Sequence, residues 1–187
     1  MEIAPVTLEG GHVRLEPLTL EHADAFWQAT REWDMSAEAV RAGIERALAR
    51  QAEGTALPFA TVALAVGRVV GGTAFLNIHP EARRLEIGST WLAAAWRRTA
   101  VNTEAKFLML SHAFDVLGCV RVEFLADARN EVSRRAIRRL GAREEGTLRR
   151  YAVGPNGTSD AVIYSIIADE WPSVRAHLRG LMARTAP

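Results

Sequence analysis

The chain of 187 residues holds a single cysteine, Cys119. One thiol closes no internal disulfide and builds no thiolate metal cluster, so a reducing, cytoplasmic compartment is expected. Cys119, between Gly118 and Val120, reads as a small buried side chain rather than a nucleophile. An excess of charge of one sign is also missing, since 23 Lys and Arg against 22 Asp and Glu leave +1. So small a balance argues against strong nucleic-acid binding, which leaves a basic footprint. No apolar run spans a bilayer, and Met1 to Leu8 lacks the basic and apolar regions of a signal peptide. His12, His22, His79, His112 and His177 lack ligand spacing, so no metal is expected. Neither GxxxxGK[ST] nor GxGxxG opens a βα unit, which leaves P-loop and dinucleotide sites unsupported.

What remains is an ordinary globular composition, 49% hydrophobic and 24% charged. The length suits one domain over 1–187 with a sizeable core. His12 to Leu18 alternates like a half-buried strand. Thr19 and Ser36 are N-cap candidates for two helices, the second carrying Val40, Ile44 and Leu48 and stopping at Gly54. Runs 58–66 and 69–78 around Gly67-Arg68 read as a hairpin, with a third strand over 83–92. Helix 103–117 is apolar on two sides and should lie against a sheet. A strand at 121–125 follows, then a helix opened by Asn130 and ended by Gly141. Strands at 147–153 and 161–167 flank Gly154-Pro155-Asn156-Gly157, and Asp169 can cap a last helix. The order predicts a mixed α/β domain around one sheet.

The stretch from Leu85 to Lys106 concentrates the chemistry. A strand carrying Glu86 leads through a small-residue turn to Arg97 and Arg98, then to a helix opening at Asn102-Thr103-Glu104. Free N–H groups and the dipole of a helix start favour an anion, and arginine forks suit phosphate. Thr99 and Thr103 add hydroxyl donors. A diphosphate is the natural guest, although a solvated basic loop would leave the same signature.

This arrangement resembles motif A of the GNAT superfamily of acyl-CoA-dependent N-acetyltransferases. That loop reads Q/R-x-x-G-x-G/A and is matched here as Arg97-x-x-Ala100-x-Asn102. The EIG-TWL-W-N-TEAK pattern and Asp127-Ala128-Arg129-Asn130-x-x-Ser133 resemble the RimJ/RimL branch, the ribosomal-protein N-terminal acetyltransferase type. The resemblance runs from the Arg14 strand to Trp171. It implies a central mixed, mostly antiparallel sheet of about seven strands, splayed at the cofactor site and flanked by helices.

It implies acetyl-CoA as cosubstrate, held by Arg97, Arg98, Thr99, Ala100, Val101, Asn102 and Thr103, with Asn130 and Arg135 further on. N–H groups near Trp91 and Leu92 would polarise the acetyl carbonyl. An amine reacts only when unprotonated, from a pKa of about 8 for an α-amine or about 10 for lysine. Glu86 matches the family's general base; the alternative is a strand acid paired with Arg83 or Arg84. Many members protonate the departing thiolate with a tyrosine where this chain has Ile137; Ser133 is the substitute, or a packed helix serine. Asn130 caps its helix, contacts pantetheine, or both.

Trp33 and Asp160 fall where acceptor pockets form. The acceptor, a protein N-terminus or a small-molecule amine, would take the acetyl group directly within a ternary complex, no cysteine being placed for a covalent intermediate. If the loop needs a positive φ at Ala100, alanine there is strained. Ala100 and Ile137 together motivate the alternative of a non-catalytic CoA or acyl-CoA sensor. An RNA-associated module using the Arg134–Arg139 face is a third reading, disfavoured by net charge. Oligomeric state stays open, a homodimer among the alternatives.

Overall fold

In a computed structural model, which describes residues 1–154 and 157–184, one eight-stranded sheet organises the chain. Its strands are β1 (Leu8–Glu9), β2 (Val13–Pro17), β3 (Ala56–Ala63), β4 (Arg68–His79), β5 (Arg84–Leu92), β6 (Arg121–Asp127), β7 (Arg143–Gly154) and β8 (Gly157–Ile167). The helices are α1 (Ala23–Ala29), α2 (Ala37–Ala52), α3 (Ala100–Ser111), α4 (Glu131–Arg139) and α5 (Trp171–Ala183). Spatial order is β1-β2-β3-β4-β5-β6-β8-β7, antiparallel except for the parallel β5–β6 pair. The mixed, mostly antiparallel sheet therefore matches expectation, with eight strands in place of about seven. The addition is the two-residue β1, too short to alternate visibly.

Local rules set most boundaries. Ser36 caps α2 by accepting from the Ala39 N–H at 3.1 Å, and Gly54, at φ 72°, turns the chain after it. Gly67 supplies the left-handed residue between β3 and β4. Asp169 lies inside a 3-10 turn over Ala168–Glu170 instead of capping α5, whose N-cap is Glu170. Pro155 and Asn156 of the last turn lie outside the described residues.

The sheet divides two layers. Leu18, Phe26, Val40, Ile44 and Ala60 join α1 and α2 to one face. Met109, Leu110, Ile137, Trp171 and Leu178 bring α3, α4 and α5 into the main core on the other. The two apolar sides of α3 thus meet sheet and α5, as the pattern of 103–117 implies. Its last turn widens into a π segment, His112–Val116.

A short seam in the sheet positions the site. β5 and β6 pair only at Arg84–Arg121, Leu85–Val122 and Glu86–Glu123. Past that point each strand keeps its outer partner and diverges from the other, so main-chain groups face one another across an opening.

Candidate active site

The opening is bordered by the N-terminus of α3. Thr99 is the N-cap: its hydroxyl accepts from the Val101 N–H at 3.3 Å and donates to the Trp96 carbonyl at 2.8 Å. The helix therefore starts at Ala100, two residues before the expected Asn102. Ala100 is absent from the positive-φ residues, and Arg98 takes that conformation at φ 64°. The loop thus makes no demand for glycine at Ala100, and the expected strain does not arise. Val101 and Thr103 are buried and Asn102 is half-buried in the first turn, while Arg98 and Thr99 are exposed.

Arg97 behaves differently from a free phosphate ligand. Its Nε donates to the Leu92 carbonyl at 2.9 Å, and its guanidinium pairs with Glu32 across the loop. Basic charge reaches the helix start from α4 instead, where Arg139 donates to the Thr103 hydroxyl at 2.9 Å. Arg135 is exposed on the same helix. Arg134 is committed elsewhere, to Tyr164 Oη at 3.1 Å and the Ala128 carbonyl at 3.2 Å.

These features suit a CoA-like ligand on structural grounds alone. The α3 start offers N–H groups without helical partners beside Arg98 and Arg139, as a diphosphate needs. The unpaired main chain between β5 and β6 suits an extended amide-bearing arm, which can bond to both edges.

Glu86 lies at the last β5–β6 pair and is 7% exposed. Asn77 Nδ2 donates to its carboxylate at 2.7 Å. Neither Arg83 nor Arg84 pairs with it; Arg84 bonds Glu123 at 3.2 Å. Burial pushes the Glu86 carboxyl upward, the Asn77 hydrogen bond opposes that, Glu123 adds repulsion, and Arg50 favours the charged form. A carboxyl raised in this way holds a proton more readily than an ordinary carboxylate, as a general base requires.

Glu86 stands opposite Leu76 in register, on the sheet face that carries α1 and α2. That face holds a cleft of about 470 Å³. Leu76, Ala74 and Ser89 reach it from the sheet, Val40 and Ile44 from α2, and Phe26, Trp33 and Trp91 wall it. The Trp91 ring meets Phe26 edge-on at 5.0 Å and Trp33 at 5.3 Å. Gly72 makes this approach feasible, since a Cβ there would lie 2.9 Å from Trp91 Nε1. Ser89, at φ 49°, sits in a break of the β4–β5 register just before Trp91 and Leu92.

Other sequence candidates scatter. Asn130 Oδ1 accepts from the Ser133 N–H at 3.0 Å, so this asparagine does cap α4. Ser133 is half-buried in the first turn of α4, and Ile137 is buried in the core. Asp160 accepts from the Arg150 N–H at 2.6 Å in the β7–β8 hairpin and does not line the cleft. Cys119 is buried, donates to Met1 Sδ at 3.3 Å, and is pushed up to about 11 by burial, which keeps it a thiol.

Sequence reasoning passed over Asn77 and Lys106. Lys106 Nζ is buried beneath β4 and β5, 2.8 Å from Thr73 Oγ1 and 2.5 Å from Thr90 Oγ1. The signal for it was a lysine inside a helix apolar on two sides. Among the described residues no group of three or more His, Cys, Asp or Glu could hold a metal, and no helix is long and apolar enough to cross a membrane.

Comparison with known proteins agrees with this geometry. The N-acetyltransferase YoaA of Bacillus subtilis, itself uncharacterized, is 32% identical over 100 residues, 53% of this chain and 55% of that protein. The matched region thus spans about half the length of that curated relative. A T. thermophilus protein assigned to the acetyltransferases superposes with TM-score 0.86 at 37% identity, covering 97% of this chain and 99% of that one. A GCN5-related N-acetyltransferase from Brucella melitensis gives 0.86 at 32% identity, covering 99% and 87%. Mycobacterium smegmatis RimJ, in complex with CoA-disulfide, gives 0.78 at 25% identity, covering 97% and 94%. The acetyltransferase (GNAT) domain family matches residues 12–143, and the chain belongs to that family.

Proposed function

We propose that the protein is an acetyl-CoA-dependent N-acetyltransferase, acting through a single domain on a primary amine by direct transfer in a ternary complex. The observation that carries this is the divergence of β5 and β6 immediately past Glu86, beside the open start of α3. The RimJ structure with CoA-disulfide is a relative of the same fold that holds the same ligand class.

Bound acetyl-CoA supplies the activated acyl group. Thr99 fixes the start of α3, whose N–H groups hold the diphosphate, with Arg98, Arg135 and Arg139 as countercharge. Main-chain N–H groups around Trp91 and Leu92 polarise the acetyl carbonyl. Glu86, directly or through water, takes a proton from the amine, so that nitrogen attacks carbon as the carbon–sulfur bond breaks. Ser133, on the first turn of α4, hydrogen-bonds the departing thiolate and relays to it a proton taken from water, so that the hydroxyl is restored. Acceptors enter from the Trp33–Trp91 cleft, on the face shared with Glu86. Membership of the RimJ/RimL branch, a cytoplasmic setting, and an acceptor that is a protein N-terminus or a small-molecule amine belong to this proposal at its finer level.

Titration with acetyl-CoA by calorimetry tests it, with thiol release over an amine panel as the second readout. Saturable binding with acceptor-dependent release is expected. No binding at about millimolar acetyl-CoA would sink the proposal. Binding without release to any acceptor would favour an acyl-CoA sensor.

A further inference from the structure

The cleft on the Glu86 face has a charge pattern that selects among amines. Among the described residues, no aspartate or glutamate lines it, and its only charged lining groups are Arg46 and Arg50. These two stand four residues apart and so on one side of α2. Among the described residues, neither has a carboxylate within ion-pair distance, whereas Arg41 of the same helix pairs with Glu45 at 3.2 Å. The rings of Phe26, Trp33 and Trp91 wall the same cleft.

Two guanidinium groups over an apolar hollow repel a polycation and attract an anion. Burying an aromatic body against the three rings contributes about 25 cal/mol per Å² of apolar surface. The cleft opens on the sheet face that carries Glu86, so an anion held by Arg46 and Arg50 and an amine facing Glu86 fit one small acceptor. A polyamine or an aminoglycoside fits none of this. A peptide N-terminus offers a neutral amide where the second charge is wanted.

We infer that the acceptor is a small amino-acid-like molecule: a primary amine on an apolar, preferably aromatic body, with a carboxylate near the amine for Arg46 and Arg50. This rests on the transferase proposal only in taking the cleft as the acceptor side.

The test measures binding by calorimetry, using the full chain saturated with CoA so that no turnover is needed. The probes are L-phenylalanine, phenethylamine, L-phenylalaninamide and spermidine. L-phenylalanine should bind at least about tenfold more tightly than each of the others, the worth of one charge-assisted pair. Arg46→Gln combined with Arg50→Gln should bring that ratio to about one, with CoA affinity reporting that the variant is folded. Equal or tighter binding of phenethylamine, phenylalaninamide or spermidine overturns the inference. So does failure of all four to saturate at about 20 mM. Binding in the expected pattern without thiol release would remove the transferase proposal and leave the cleft as a site for an amino-acid-like ligand. Release to phenethylamine and spermidine with none of the pattern would do the reverse.

Discussion

Arg97, at the head of the loop before α3, is ion-paired with Glu32, which lies 65 residues earlier in the turn between α1 and α2. The same guanidinium holds the Leu92 carbonyl and lies 5.7 Å above the Trp33 ring. One side chain thereby fastens the end of β5, the loop before α3 and the Trp33 wall of the cleft to one another.

Loss of Glu32 should therefore act on the acceptor more than on the donor. For Glu32→Ala we expect a KM for amine raised several-fold and an acetyl-CoA affinity nearly unchanged. A double-mutant cycle with Arg97→Ala should return a coupling of about 0.2–1 kcal/mol, the range of exposed ion pairs. Zero coupling would mean that the contact is incidental.

Glu86→Gln should lower kcat by roughly 10²–10⁴-fold, the usual contribution of a positioned general base, with acetyl-CoA affinity retained. The pH profile gives a sharper criterion. Because burial raises this carboxyl, activity that needs its ionised form falls off on the acid side at a pH above the ordinary carboxylate range. The acid limb should vanish in Glu86→Gln. Persistence of the same limb would assign it to another group.

Lys106 bears on stability. Burial lowers its pKa to about 7, whereas the unfolded chain keeps the ordinary value of about 10.4. Between those values the unfolded state binds the extra proton, so this group makes stability rise with pH from 7 upward, by about 1.4 kcal/mol per unit at most. Below 7 both states are protonated and the contribution is flat. Lys106→Met should remove the rise, and Tm measured at pH 7 and pH 9.5 decides the matter. Thr73 and Thr90 still bond one another at 2.9 Å after the change, so no hydroxyl is orphaned.

Glu104 should matter for folding rather than chemistry. Its buried carboxylate accepts from the N–H groups of Gly11, His12 and Val13 at 2.9, 2.6 and 2.9 Å. A Cβ on Gly10 would lie 2.5 Å from the carboxyl carbon, so glycine is required for this fit. Glu104→Ala leaves three main-chain donors without their acceptor and should cost about 2–4 kcal/mol in urea unfolding. An effect below about 0.5 kcal/mol would show that water replaces the carboxylate.

Much of the fold was legible because local signals dominate it. Ser36 and Gly54 bound α2, and Gly67 and Gly141 mark turns, all by rules that act within a few residues. Glu86 beside the turn before α3 was readable for the same reason. The start of α3 was not, because Thr99 and Asn102 both have cap chemistry and only tertiary context chose between them. The distant partner of Arg97, Glu32, carries no signal in the sequence around the loop. Trp33 and Asp160, which both read as acceptor-side residues, stand apart: one walls the cleft while the other secures a hairpin. Asn77 left no local signal, because its left-handed φ of 46° and its bond to Glu86 both arise from the strand register.

The brief contact between β5 and β6 has a mechanical consequence. The sheet consists of two leaves, one of five strands and one of three, bound along a spine of three residue pairs. A molecule laid between the leaves would bond to both and act as missing binding, so the seam should be the least protected part of the sheet when empty and gain most when filled. Amide exchange along Ile87–Leu92 and Phe124–Asp127 should slow on adding CoA while β3 stays as it was. The opening proposed for CoA is then also the place where the sheet is least complete without it.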